Sequence, residues 1–489
     1  MRRLAVTGDN QNFGDRPMAN VAQLLKDALG EAAVLDANSD LSGFTSDWFG
    51  RYTGSALCVV LPSNREQVVD AVKICAGAGV AIIPQGGNTS VCGASVPYGV
   101  DNAVIISTSR MNRIREIDLA SNAMIVEAGC VLAQVQQSAS EADRLFPLSL
   151  SAEGSCQIGG TIATNAGGIA AVRYGTMRDL VIGLEVVLPD GQVWDGLKLI
   201  RKDSTGFDTK SLWMGTEGAL GIITAASIKL FPATNSRAVA WAGVGSVEGA
   251  LSLLQAARMA FDTKLTAFEL MSRSQTEMAY AHVPGARNPL ETETDWTVLI
   301  ELCANDDEEA LVSSLEAFLG EAMEDKLVVD AAIARSAKHA DDFWHIRHSL
   351  SDALKAAGMS LTHDVAVPIS RVAAYIEATD AIVRHEFPEA TGTVVCHLGD
   401  GNVHYNLTFT RDHWAGLADP TTYGEDARRA VQRTAVEMGG TFVAEHGIGR
   451  KNRAAAGEYK SPLERKIFGA IKLALDPNNM MNPGSGVPG

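Results

Sequence analysis

The sequence predicts an α+β protein of at least two domains, and three observations carry that prediction. The chain has 489 residues, well past the roughly 250–300 at which a single core stops growing. From about Cys58, β-branched runs alternate with helical ones. From Ala238 the helices lengthen and alternate with further strands, the pattern of a second α+β layer.

Taken in order, the stretch from Val21 to Leu29 has a helical apolar period. "ALCVVLP" reads as a strand, "NREQVVDAVKICAGAG" as an amphipathic helix closed by glycine, and "VAIIP" as a strand again, a βαβ start. "AVIIST", "AMIVEAG", "LVIGLEVVLPDG" and "GIITAASIKLFP" are strands separated by glycine-rich loops. A boundary is expected near "ATNSR", residues 233–237. Beyond it come helices "VEGALSLLQAARMAF" and "EEALVSSLEAFLGEAM", strands "WTVLIELC" and "TVVCHLG", a helix from Gly424 to Met438 and a strand "TFVAEH". The expected division is a polar tail (1–20, with Met18 an alternative start), a first domain (21–235), a second (236–410) and a C-terminal segment (411–489) that returns to the first.

Hydrophobic residues make up 46% and charged residues 20% of the chain, which excludes a disordered one. The net charge of −17 argues against a nucleic-acid partner, since phosphate contacts need a basic face; a small anionic substrate would have to be drawn in by a local basic site. The seven cysteines include no C-x-x-C pair, which fits a reducing compartment and gives no sign of a metal cluster. No segment reaches the length of a signal peptide core or a membrane span, so a cytoplasmic location is expected.

Two glycine clusters follow strands. "IIPQGGNTS" places Gly86, Gly87, Asn88, Thr89 and Ser90 where backbone N–H groups can converge on an anion. "GSCQIGGTIATNAGG" contains Gly154, Gly159, Gly160, Gly167 and Gly168, and "GTEGALGI" follows at 215–222. Neither cluster is the G-x-G-x-x-G of a dinucleotide-binding βαβ unit.

"CHLGDGNVHYN", residues 396–406, gathers two of the chain's 10 histidines. If Asp400-Gly401 is a two-residue turn, His397 pairs with His404, close enough to share an ion. Alternation then puts Val395, His397, Asn402, His404 and Asn406 on one face, and Val394, Cys396, Leu398, Val403, Tyr405 and Leu407 on an apolar one. A solvated surface hairpin is the alternative. Glu445, in "FVAEHGIG", can supply the third ligand of a two-histidine, one-carboxylate site with an open position. In "FWHIRHSLSDALK", Arg347 and Ser351 share a helical face at i, i+4, and a guanidinium can grip a carboxylate in a two-point fork.

With "PQGGNTS", "QIGGTIATNAGG", "RYGTMRDLV", "GTEGALGI", "HLGDGNVH", "EHGIGR" and "NPG" in this order over about residues 50–484, the chain resembles the FAD-linked oxidases and dehydrogenases of the vanillyl-alcohol oxidase (PCMH-type) fold. Among these it is most similar to the D-lactate and D-2-hydroxyglutarate dehydrogenases. The resemblance implies a PCMH-type FAD-binding domain of two α+β subdomains, an α+β cap domain with an antiparallel sheet, and a C-terminal helical segment. It implies that Pro84 and Gly86–Ser90 wrap the FAD pyrophosphate. Gly154, Ser155, Ile158, Gly159, Gly160, Ala163, Thr164, Asn165, Gly167, Gly168, Arg173, Tyr174 and Gly175 would line the flavin. Glu217, Gly218, Gly221 and Ile222 would hold the adenine side, and Asn482 would return to the flavin. It also implies that His397, His404 and Glu445 ligate a divalent metal, zinc first with manganese or iron as alternatives, that His446 is the catalytic base, and that Arg347, Ser351, Thr362 and Asn406 bind substrate.

The first loop has no histidine or cysteine before Cys92, so FAD is expected to be noncovalent. Three departures stand out: Thr362 where the hydroxyglutarate enzymes carry lysine, Ser90 for glycine, and Ser485 for lysine. The implied reaction is metal-assisted oxidation of a D-2-hydroxy acid to the 2-oxo acid. Electrons would pass to an acceptor such as an electron-transfer flavoprotein or quinone, with a homodimer as one possible assembly. The alternatives are a flavin oxidase or reductase of the same fold acting on another alcohol, or a flavin-binding electron carrier without its own substrate.

Overall fold

The computed structural model describes residues 21–486; the tail expected at 1–20, with Met18, lies outside the described residues. Helix Val21–Leu29 has the bounds its periodicity predicts and buries Val21, Leu25 and Leu29, a four-residue spacing that makes one stripe. The βαβ start forms as strand Cys58–Val60, helix Arg65–Ala78 and strand Ala81–Gln85. Asn64 caps the helix by accepting from the Gln67 N–H, and Gly79 ends it at φ 66°, a left-handed conformation that glycine adopts freely. The two strands are not neighbours. Ala103–Ser107 lies between them, parallel to both, and Val34–Leu35 adds to Cys58–Val60 antiparallel.

The second sheet is antiparallel, in the order Ile114–Asp118, Ala123–Glu127, Ile222–Lys229, Val181–Val187, Val193–Asp195. The third and largest, also antiparallel, runs Asp330–Ile333, Ser236–Val244, Trp296–Ala304, Leu265–Ser272, Thr391–His397, Asn402–Phe409, Met359–Thr362. One of its faces carries Val394, Cys396, Leu398, Val403, Tyr405 and Leu407 into a core shared with helices Val247–Phe261, Glu308–Glu324, Val372–Glu386 and Pro420–Glu437. The opposite face carries Trp241, Ala267, Met271 and Val395 against helices Arg273–His282, Ala337–His348 and Leu350–Ala357. Alternation therefore commits His397, Asn402, His404 and Asn406 to this second face.

Three expectations are corrected. The hairpin does not turn on Asp400-Gly401 alone: His397 pairs with Asn402, and Val395 with His404, so the connection is Leu398–Gly401. Tertiary contacts fix that register. The Leu398 N–H donates to Phe268 O, the Gly399 carbonyl accepts from Arg258, and a Cβ at Gly399 would lie 2.4 Å from Val172. Residues 343–355 are not one helix. Ser349 ends the first with its N–H on His345 O and starts the second by accepting from Asp352 and Ala353, so Arg347 and Ser351 sit on different helices. Residues 441–446 are not a strand beyond the isolated pairing of Thr441 with Ala366. The Glu445 and His446 N–H groups donate instead to the Asp364 carboxylate.

Residues 480–482 return to the first sheet: Ile82 N–H donates to Met480 O and Asn482 N–H to Ile82 O. No helix among the described residues is long and apolar enough to cross a membrane.

Candidate active site and flavin-binding loops

The register that separates His397 from His404 as a direct pair still leaves them together. A slip of two residues preserves the face, and the two imidazoles become diagonal neighbours with ring centroids 5.4 Å apart. Glu445 reaches in from the irregular segment, its Oε2 3.7 Å from His404 Nε2. One donor atom from each of His397, His404 and Glu445 lies within 4.8 Å of the other two. Two imidazoles and a carboxylate so placed fit a divalent ion with a coordination position left open.

Glu269, on the neighbouring strand Leu265–Ser272, orients this set. It is 1% exposed, and its Oε1 lies 2.8 Å from His397 Nδ1. Burial opposes its ionisation, but His397 and Arg347 outweigh that and hold its pKa at about 2. The carboxylate can therefore only accept, so His397 Nδ1 is the donor and Nε2 is the atom left for an ion. The same pairing, working against burial, lifts the His397 pKa to about 9, whereas burial drives His404 down to about 4. An ion would compete with a proton at His397 but meet a neutral His404.

Arg347 comes from helix Ala337–His348, and its Nε and Nη2 both donate to Glu269 Oε2, at 2.8 and 2.6 Å. The two-point fork expected for a substrate is thus closed on a protein carboxylate. Ser351 and Thr362 are exposed, and Asn406 is 3% exposed.

His446 stands beside these three side chains, its ring centre 6.1 Å from that of His404. Its Nδ1 lies 2.9 Å from Asp364 Oδ2, and Asn402 Nδ2 donates to the other Asp364 oxygen at 3.0 Å. Asp364 is buried, and although burial opposes its charge, His446 keeps its pKa well below the usual range. In return the carboxylate overcomes burial and raises the His446 pKa. Held this way, the imidazole keeps its proton on Nδ1 and presents Nε2 as a base. Glu269 and Asp364 escaped the sequence reading. The available signals were a lone carboxylate in the apolar run "LTAFELMS" and another opening "DVAVP".

The glycine loops converge. A Cβ on Gly87 would lie 1.9 Å from Ser155 O and one on Gly159 2.8 Å from Ala128 Cβ, whereas Gly154 and Gly160 face open space. Backbone at 86–87 and 155–160 is therefore packed closely together, with open space beside Gly160. Several side chains expected at FAD are hydrogen-bonded within the protein. Asn88 donates to Gly43 O and Ser46 O. Asn165 accepts from Thr176 Oγ1 and the Arg178 N–H. Arg173 donates to Cys303 O. Glu217 is 5% exposed and accepts from the N–H groups of Gly449 and Gly486 and from Ser485 Oγ. Asn482 donates to Ala94 O and Glu217 O, and Ile222 belongs to the core. The two halves of the site touch directly, because the Gly168 N–H donates to Glu445 Oε1 at 2.9 Å.

Family models for an FAD binding domain and for the C-terminal domain of FAD linked oxidases match residues 56–196 and 233–485. D-2-hydroxyglutarate dehydrogenase, mitochondrial, of Arabidopsis thaliana is 34% identical over 94% of this chain and 80% of its own length. The protein of the same name from Danio rerio is 36% identical over 90% of this chain and 80% of its own. Among solved structures, p-cresol methylhydroxylase superposes with a TM-score of 0.72 over 97% of this chain and 98% of its own at 17% identity, which shows a PCMH-type fold. The chain therefore belongs to the FAD-linked oxidase family, as an oxidoreductase enzyme whose curated relatives include D-2-hydroxyglutarate dehydrogenases.

Proposed function

We propose that the protein oxidises a D-2-hydroxy acid, of the D-lactate or D-2-hydroxyglutarate type, to the 2-oxo acid. The observation that carries this reading is His446, fixed by Asp364 at 2.9 Å and standing beside two histidines and a carboxylate suited to a divalent ion. FAD bound along the glycine loops would accept the hydride that leaves C2. An ion held by His397, His404 and Glu445 would polarise the C2 hydroxyl and C1 carboxylate, and the donor set favours zinc, then manganese or iron. His446 Nε2 receives the hydroxyl proton, and Asp364 stabilises the imidazolium that results.

The flavin is held noncovalently. Cys92, the thiol nearest the first loop, is fully buried, donates to His446 O, and is pushed by burial up to about 12. Electrons then leave to an acceptor such as an electron-transfer flavoprotein or quinone. The chain divides near residues 235 and 410.

Anaerobic mixing of the purified yellow protein with a panel of D- and L-2-hydroxy acids tests the reading. Bleaching of the flavin by a D-2-hydroxy acid is expected. No bleaching by any of them, with bleaching by a phenol or simple alcohol, would reject it. Acid denaturation should release the FAD, and flavin retained on the polypeptide would reject noncovalent binding.

A further inference from the structure

We propose that Lys451, with Arg428 behind it, forms the subsite for a distal anionic group of the substrate, so that this site selects 2-hydroxy acids bearing a second carboxylate. The inference rests on the hydroxy-acid reading above and adds the residues that set chain specificity.

The positions expected to supply positive charge do not supply it freely. Thr362 is neutral, and the Arg347 guanidinium is closed on Glu269. Lys451 occupies the corner where residue 362 begins, its Nζ 3.4 Å from Thr362 O. It lines a small crevice with His446, Asp364, Thr362 and Arg428, directly beside the base.

Among the described residues, no carboxylate oxygen lies within 4.0 Å of the charged nitrogens of Lys451 or Arg428. Asp364 is near, but its oxygens already serve His446, Asn402 and two backbone N–H groups. Arg428 Nε is buried without a hydrogen-bond partner. Burial and the adjacent Arg428 push the Lys451 pKa down to about 8, and Arg51 adds further repulsion from the rim.

Partly buried cations left unpaired and facing one another are costly unless an anion joins them. A chain with 58 acidic against 41 basic residues has carboxylates to spare, yet among the described residues none pairs with Lys451 or Arg428 within 4.0 Å. A second carboxylate on the substrate would complete the cluster. A monocarboxylic hydroxy acid has its only carboxylate next to C2, at the reacting end, and brings nothing to Lys451.

The test is steady-state kinetics of the holoenzyme with an artificial dye acceptor, comparing D-2-hydroxyglutarate with D-lactate. The wild type should favour the dicarboxylate in kcat/KM by more than tenfold. Lys451→Met should lower that ratio at least tenfold, with the loss mainly in the KM of the dicarboxylate. Adding Thr362→Lys to that variant should restore part of it, because the new ammonium grows from the same corner. A wild-type ratio near or below one overturns the proposal, even if Lys451→Met fails to fold. So does an equal loss on both acids, or no change in the ratio. If neither acid reduces the flavin, the hydroxy-acid reading itself fails, and this subsite with it.

Discussion

The hairpin Thr391–Phe409 and the glycine loops at 86–90 and 154–168 meet at Glu445, which is 3.7 Å from His404 on one side and accepts from the Gly168 N–H on the other. They reach that point by different physics. The hairpin places its side chains by sheet alternation, and its polar face is chosen because the other face must be buried in the core. The loops place backbone, and their glycines are needed where two chain segments approach too closely for a Cβ. Residue identity therefore carries the chemistry on the sheet, and residue absence carries it in the loops.

The largest effects should come from breaking the half built of side chains. Alanine at His397, His404 or Glu445 should give three similar proteins that are yellow and metal-poor, with flavin reduction slowed roughly 10³-fold or more, since a Lewis acid supplies several kcal/mol. Glu445→Ala should stand apart in one respect, because it also frees the Gly168 N–H; weaker FAD retention in that variant alone would sharpen the link between the two halves. His446→Ala should slow flavin reduction by roughly 10²–10⁴ while metal content stays at the wild-type level. Wild-type rates would remove it as the base.

Glu269→Gln comes next. It leaves Arg347 without its carboxylate and His397 without its orienting partner. Metal affinity should fall roughly 10–100-fold and unfolding free energy by about 3–5 kcal/mol, read by metal titration and denaturant melts. An unchanged metal affinity would show that Glu269 is only structural.

The smallest effect is a matched pair in the loops. Gly87→Ala must push a Cβ into Ser155 O, which would be 1.9 Å away, whereas Gly154→Ala meets nothing within 4 Å. The first should lose about 1–3 kcal/mol together with FAD, and the second should stay within about 0.5 kcal/mol in stability. Equal losses in both would mean that the loops do not depend on close approach.

The same contrast governs what could be read before the structure. Apolar periodicity located the helices Val21–Leu29 and Val247–Phe261 with their observed bounds, because burial of a stripe is a local property of sequence. The hairpin's faces were legible for the same reason, but its register was not. Asp-Gly favours a two-residue turn locally, and the longer Leu398–Gly401 connection wins through contacts with Phe268, Arg258 and Val172, all distant in sequence.

"TFVAEH" looked like a strand because it is β-branched and apolar, yet its N–H groups go to the side chain of Asp364, a partner no period can announce. Glu269 and Asp364 stayed hidden because a single acid in an apolar run has no spacing to read. The grouping of His397, His404, Glu445 and His446 was legible through family resemblance, and the cation at Lys451, without a carboxylate partner among the described residues, was not, since only geometry shows how charges pair.

Chelation tests the division of labour most directly. Purified holoenzyme is dialysed against EDTA, then assayed for bound FAD, metal content and anaerobic reduction by the best D-2-hydroxy acid, before and after zinc or manganese is restored. The account predicts a protein that keeps its FAD, loses its divalent ion and its reduction by substrate together, and recovers both on metal addition. Active protein without a stoichiometric divalent ion, or EDTA-treated protein with full activity, would contradict it.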